Sequence, residues 1–211
     1  MSRVDALDRS VTMAVVSQVL QYPDEALESQ LPVLRDAVVD LPSSIREPLD
    51  RLVGWLSGQP LLELQAAYVA TFDLRRRNAL YLTYHLNGDT RRRGEAIRRF
   101  GELYRSRGYA MAALELYDFL PAVLELAAEC ATTDSGVLDA IVEHMPSIIA
   151  LRRSLEDDGS AWADAVRSLE LVLPPPTRSA HDIAERLIMA GPPVEEVGLD
   201  PYTLHGMEVR P

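Results

Sequence analysis

Three short stretches hold the residues that could do chemistry. The first is Leu114-Glu-Leu-Tyr-Asp-Phe-Leu-Pro121, in which Glu115 and Asp118 stand three residues apart. Two carboxylates this close could serve as acid and base. Pro121 favours the first turn of a helix, however, which makes Asp118 a candidate N-cap and puts Glu115 on the preceding loop. The second is Gly88-Asp89-Thr90-Arg91-Arg92-Arg93-Gly94. Asp89 reads as another N-cap, and three arginines then crowd a helix end that is already positive. That conflict calls for a compensating carboxylate or a bound group. The third is Tyr68-Val-Ala-Thr-Phe72, followed by Asp73 and by Arg75, Arg76 and Arg77. Tyr68 and Phe72 lie one helical turn apart and point the same way, either into a core or into a groove.

Other chemistries are excluded by residue type. All 21 basic residues are arginine. Without lysine there is no Walker phosphate loop, Schiff base or lysine general base. The four histidines are His85, His144, His181 and His205. The residues three before them are Leu82, Ile141, Arg178 and Tyr202, so the Glu-x-x-His pairs of a di-iron bundle are missing. Cys130 is the single cysteine, with no zinc-spaced partner and no partner for an internal disulfide. The start of the chain does not read as a secretion signal, and no apolar run approaches the roughly 20 residues a bilayer requires. These features together lead to the expectation of a cytoplasmic protein with no membrane insertion.

Charge is distributed unevenly. The net charge is −11, yet residues 75–107 hold ten arginines against three acids. The flanking parts are acidic. A basic band on an acidic protein is a poor general nucleic-acid binder. Acidic surfaces suit a cationic peptide instead.

The elements that must position these residues are helices. Val11, Val15 and Val19 recur every four residues and mark a first helix ending near Tyr22-Pro23. The spacing predicts a second helix over 24–40, bent or broken at Pro32. A third is expected to open on a Ser44/Glu47 capping box and to end at Gly58. Pro60 starts a fourth, with Leu61, Leu64, Tyr68 and Phe72 on one face. Further helices are predicted over 78–86, 89–107, 118–130, 137–155, 160–173 and 179–190. In the helix after Asp118, Leu120, Val123, Leu124 and Ala127 form a core face, while Ala122, Glu125 and Glu129 form a stripe on the other side. From Gly191 on, 7 of 21 residues are Gly or Pro. The expectation is an all-α chain: a compact bundle of about eight to ten helices over 1–190 and an irregular tail over 191–211.

The three stretches together resemble one family. Tyr68-Val-Ala-Thr-Phe-Asp73, Leu80-Tyr-Leu-Thr-Tyr84 and Gly88-Asp-Thr-Arg-Arg-Arg-Gly94 are similar, in this order and spacing, to the nitrate reductase molybdenum cofactor assembly chaperones of the NarJ type. The Leu114–Leu126 stretch looks like that family's Glu-x-Pro-Asp-His motif and the helix after it. Here the core of the motif is Tyr117-Asp118-Phe119, so the aspartate is kept while the proline and histidine are replaced.

The resemblance implies a helical, non-catalytic chaperone with no cofactor of its own. It would hold the N-terminal segment of the apo catalytic (alpha) subunit of nitrate reductase, away from the membrane, until that client receives its molybdenum cofactor. Molybdenum cofactor biosynthesis proteins are further implied partners. On this reading the client segment docks as an amphipathic helix in an apolar groove. Tyr68, Phe72, Tyr81 and Leu82 would line the groove, Glu115, Asp118 and Glu125 would meet client basic residues, and Arg75 and Asp89 would belong to the same site. The alternative is a helical nucleic-acid-binding or regulatory module using the arginines of 75–107.

Overall fold

Asp5 starts the first helix, α1 (Ala6–Val19), by accepting from the Asp8 N–H at 2.7 Å, while the Asp8 carboxylate accepts from the Asp5 N–H in return. This reciprocal box satisfies two amides that the helix itself leaves open. Met13, Val15, Val16 and Val19 are buried, and so are Thr12 and Ser17 on the same helix. A helix buried on so many sides is enclosed by its neighbours. Its buried hydroxyls are satisfied: Thr12 donates to the Asp8 carbonyl, and Ser17 reaches across to the Pro121 carbonyl at 2.8 Å. The computed structural model describes residues 4–111, 115–130 and 135–193.

The remaining helices are α2 (Glu25–Ala37), α3 (Ser43–Ser57), α4 (Leu61–Tyr68), α5 (Leu82–Asn87), α6 (Arg91–Ser106), α7 (Leu120–Cys130), α8 (Gly136–Glu143), α9 (Met145–Asp157), α10 (Ala163–Val172) and α11 (Arg178–Ala190). Helix α1 packs chiefly on α7 and α10, α3 covers α10, and α9 packs on both α10 and α11. Helices α5 and α6 touch each other, with α5 lying on α9. The all-helical expectation holds, with eleven α-helices among the described residues. No helix among them is long and apolar enough to cross a membrane. Leu120, Val123, Leu124 and Ala127 are buried on α7, and Glu125 and Glu129 are exposed, as the spacing requires.

Several helix boundaries differ from the sequence expectation, each for a local reason. Helix α2 runs unbroken through Pro32, which sits on its exposed face, where a displaced carbonyl can turn to water. Helix α3 begins at Ser43 behind Pro42, whose carbonyl accepts from both Ile45 and Arg46 at 2.9 Å. Ser44 is therefore already helical and the Ser44/Glu47 box does not form. The stretch 137–155 divides at His144, where ψ rises to 15°. Pro146 in the first turn of α9 is the signal for that break. Residues 79–81 are extended rather than helical, because Tyr81 forms an isolated antiparallel bridge with Phe119. Helix α6 is capped at Thr90, one residue after Asp89. The expected tail is described only to Pro193, and 194–211 lies outside the described residues.

Gly88 ends α5 at φ +57°, ψ −155°, a conformation essentially reserved for glycine. A Cβ there would lie 1.6 Å from the Pro193 carbonyl oxygen. The backbone that follows α11 thus crosses directly over the α5–α6 turn.

Candidate functional site

The end of α4 does not continue as an α-helix. Residues Val69–Asp73 form a π turn, closed by the Leu74 N–H on the Val69 carbonyl at 3.1 Å. π insertions of this kind are frequent at functional sites. The fully buried Asn78 side chain holds the turn by donating to the Thr71 carbonyl and to Asp158, 2.9 Å each. Arg75 pairs with the same Asp158. Burial works against ionisation of Asp158, but the Asn78 and Arg75 hydrogen bonds outweigh it and hold its pKa below the usual carboxylate value.

Tyr68 and Phe72 both point inward from this segment and are 5% and 6% exposed. Their rings are 4.7 Å apart and pack edge-on against Trp162, at 5.8 and 5.3 Å. The Tyr68 hydroxyl donates to the Leu20 carbonyl at 3.0 Å. Burial, with a smaller effect of Asp73, pushes its pKa well above the ordinary tyrosine value. These two rings are primarily core, and their outer edges form the floor of a groove of about 360 Å³.

The groove walls come from the bridge. Leu82 N–H donates to the Asp118 carbonyl at 3.0 Å, and Leu120 N–H donates to the Leu80 carbonyl at 2.7 Å. This pairing sets the Tyr81 and Phe119 rings 5.6 Å apart. Tyr84, Leu80 and Ala79 complete the apolar lining. Asp73, Arg76, Asp89 and Arg93 stand at the rim. Arg93 lies over two of the rings, 5.5 Å from the centre of Tyr81 and 5.2 Å from that of Tyr84. Its Nη1 donates to Asp89 at 3.1 Å. Of the three arginines in the first turn of α6, Arg93 is thus offset by one carboxylate and two ring faces.

The nine residues singled out from the sequence fall in different places. Tyr68, Phe72, Tyr81 and Asp89 all line the groove. Glu115 adjoins it, accepting from the Tyr81 hydroxyl at 3.0 Å. Burial first, then Glu115, push the Tyr81 pKa up to about 12. Leu82 does not line the groove: its side chain is buried in the core, and its carbonyl accepts from Ser147 at 2.9 Å. Asp118 is fully buried and does not reach the rim. It caps no helix of its own; it accepts from the Thr83 N–H and hydroxyl, at 3.2 and 2.6 Å. The phenylalanine bridge holds 119 extended, so Asp118 caps the first turn of α5 from across the pairing instead. Arg75 faces a separate cavity with Asp158, and Glu125 lies on the solvent side of α7. Phe119, Tyr84 and Arg93 were not singled out as lining residues. The one sequence signal for Phe119 was its place where the family pattern has histidine.

The sequence pattern described as nitrate reductase delta subunit matches residues 39–168, more than half the chain. The chain belongs to the nitrate reductase delta subunit family. Its relatives include a Bacillus subtilis member named probable nitrate reductase molybdenum cofactor assembly chaperone NarJ, 28% identical over 79% of this chain and 90% of that protein. Escherichia coli NarJ, a nitrate reductase molybdenum cofactor assembly chaperone, is 28% identical over 72% of this chain and 65% of its own length. The nitrate reductase-like protein NarX of Mycobacterium tuberculosis is 39% identical over 56% of this chain, but the match spans only 18% of NarX. The relatives matched over most of their length are named as assembly chaperones, not as enzymes. The fold of this family member is shared with a crystal structure from Archaeoglobus fulgidus, assigned as a redox enzyme maturation protein. The two superpose with a TM-score of 0.54 at 20% identity, over 77% of this chain and 91% of the other.

Among the described residues, no group of His, Cys, Asp and Glu could hold a metal ion. What the groove of this delta-family chain can do is hold apolar and cationic side chains.

Proposed function

We propose that this chain is an assembly chaperone for a nitrate reductase, acting in the cytoplasm. It holds the N-terminal segment of the apo catalytic subunit while that client receives its molybdenum cofactor from the biosynthetic proteins, and it binds no cofactor itself. Family membership and the names of the relatives support the role. The observation that carries the site is the open groove between the π turn and the Tyr81–Phe119 bridge, aromatic inside and charged at the rim.

The size of the groove limits how it works. At about 360 Å³ it sits at the small end of ligand pockets, which run from about 300 to 1,000 Å³. It therefore takes one or two anchoring side chains, and the client helix lies across it rather than within it. Each buried anchor contributes about 1.5–3 kcal/mol. Micromolar affinity needs about 8 kcal/mol. Contacts outside the groove must supply the remainder, and Leu74 and Leu116 are exposed apolar residues next in sequence to Asp73 and Glu115. Titration calorimetry with an N-terminal peptide of the nitrate reductase catalytic subunit tests the reading. Micromolar or tighter binding is expected, weakened at least tenfold in Tyr81→Ala and Phe119→Ala. Unchanged affinity in both variants, folded by circular dichroism, would remove the groove from the role.

The nucleic-acid alternative gains little from the structure. Arg75, Arg93, Arg98 and Arg99 pair with Asp158, Asp89, Glu102 and Glu143, and Arg105 donates to the Gly101 carbonyl. A band whose cations are occupied in this way has fewer of them to offer phosphates.

A further inference from the structure

Arg93 is an anomaly on three counts. It stands in the first turn of α6, where the helix dipole disfavours a cation. Its side chain is only 17% exposed, although arginine is seldom buried unless well paired. Its Nε is buried and has no hydrogen-bond partner. Against these costs it has the faces of Tyr81 and Tyr84 and a single bond to Asp89. The residue is held by a place suited to a guanidinium, without filling that place completely.

We propose that Tyr81, Tyr84 and Asp89 form a cage for an arginine side chain of the bound partner, and that Arg93 is the cage's intramolecular occupant in the free chain. The inference rests on the groove reading above and names the side chain the groove selects. A guest guanidinium replaces Arg93 like for like, so the exchange is close to balanced, and the guest's other contacts decide it. A guanidinium fits better than an ammonium here, because a planar fork can stack on the two rings while donating to a carboxylate. Charge favours the exchange as well. Once Arg93 swings out, the groove keeps Asp73, Asp89 and the adjoining Glu115 against Arg76 alone. Arg93 thereby gates the groove: apolar side chains without a cation beside them do not displace it.

The test uses the full chain and two small probes, N-acetyl-arginine methylamide and its neutral isostere N-acetyl-citrulline methylamide, followed through the ring signals of Tyr81 and Tyr84 by NMR. Arg93→Ala is expected to bind the arginine probe at least tenfold more tightly than the unsubstituted chain, and to leave the citrulline probe unbound. Adding Tyr84→Leu to Arg93→Ala is expected to abolish the gain. If Arg93→Ala does not fold, Arg93→Gln carries the same comparison. Equal binding of the two probes, or no gain on removing Arg93, overturns the cage. The client peptide separates this from the broader reading. A peptide that binds the groove as tightly with its arginines changed to glutamine rejects the cage and keeps the groove, whereas a peptide insensitive to Tyr81→Ala and Phe119→Ala rejects the groove itself.

Discussion

Asp118 carries its bonds on one carboxylate oxygen. Oδ2 accepts both Thr83 hydrogen bonds, while Oδ1 is buried and has no partner. A carboxylate is thus spent on capping a helix of six residues, which lacks a side-chain cap of its own. Removing the acceptor strands a buried N–H and a buried hydroxyl, and each such loss costs about 1–3 kcal/mol. Asp118→Ala, which strands both, is expected to lower stability by about 2–6 kcal/mol in urea denaturation, with the m-value unchanged. Asp118→Asn keeps one acceptor oxygen for Thr83 and adds an amide at the unpartnered position. With both Thr83 bonds kept and only that amide without a partner, it is expected to lose about 1–3 kcal/mol, less than the alanine variant. An alanine variant as stable as the parent would mean that Thr83 finds other partners and that the cap is dispensable.

At the scale of elements, the α5–α6 turn joins the groove to the backbone that follows α11. Gly88 adopts a backbone conformation that other residues enter at a cost of about 1–3 kcal/mol. The carbonyl of Pro193 also fills the space a side chain would need. Gly88→Ala is therefore expected to lower the melting temperature and to loosen the end of α11, read as faster amide hydrogen exchange at residues 188–191, where the Gly191 N–H donates to the Leu187 carbonyl. Loss of stability with exchange unchanged would show strain at Gly88 alone, with the crossing backbone unaffected.

Much of this scale was legible in the sequence. The fourfold spacing of Val11, Val15 and Val19 marks α1, and the core face of α7 follows from Leu120, Val123, Leu124 and Ala127, because helical periodicity is a direct imprint of burial. Asp118 was recognisable as a cap, but not the helix it caps, since sequence spacing says nothing about a partner 35 residues away. The Tyr81–Phe119 bridge left no trace either: one residue pair has no period to read. The π turn was hidden because it closes the element: no α-helical turn continues past Asp73 whose apolar phase the extra residue could shift. The candidate site was therefore visible in its aromatic floor, Tyr68 and Phe72, and in Tyr81 and Asp89. Its far wall, Phe119, depends on pairing across the chain, whereas Tyr84 and Arg93 lie close in sequence and only their stacking was hidden.

For the whole molecule, the buried histidines set the response to acid. His85 is 4% exposed, and its Nε2 lies 2.9 Å from the Ala79 carbonyl, so that nitrogen carries a proton. His144 is 9% exposed and uses Nδ1 in the same way on the Ala140 carbonyl at 2.8 Å. Burial dominates at both and pulls their pKa values below the ordinary 6.5, although each carbonyl bond opposes the shift. The unfolded chain therefore takes up protons near pH 6.5 that the folded chain refuses. Stability from these groups is complete above that pH and falls as the medium becomes more acidic, by at most about 1.4 kcal/mol per pH unit for each histidine. Both positions adjoin α9: His85 lies in α5, which packs on it, and His144 stands at its N-terminal end. Melting temperatures measured from pH 7.5 to 5 are expected to drop through this window, against the opposite and partial effect of Glu170, whose carboxyl burial pushes above the usual range. In His85→Gln with His144→Asn, which puts an amide donor where Nε2 and Nδ1 respectively donate, the curve is expected to be flatter over the same window. An equally steep fall in that double variant would place the acid sensitivity elsewhere in the molecule.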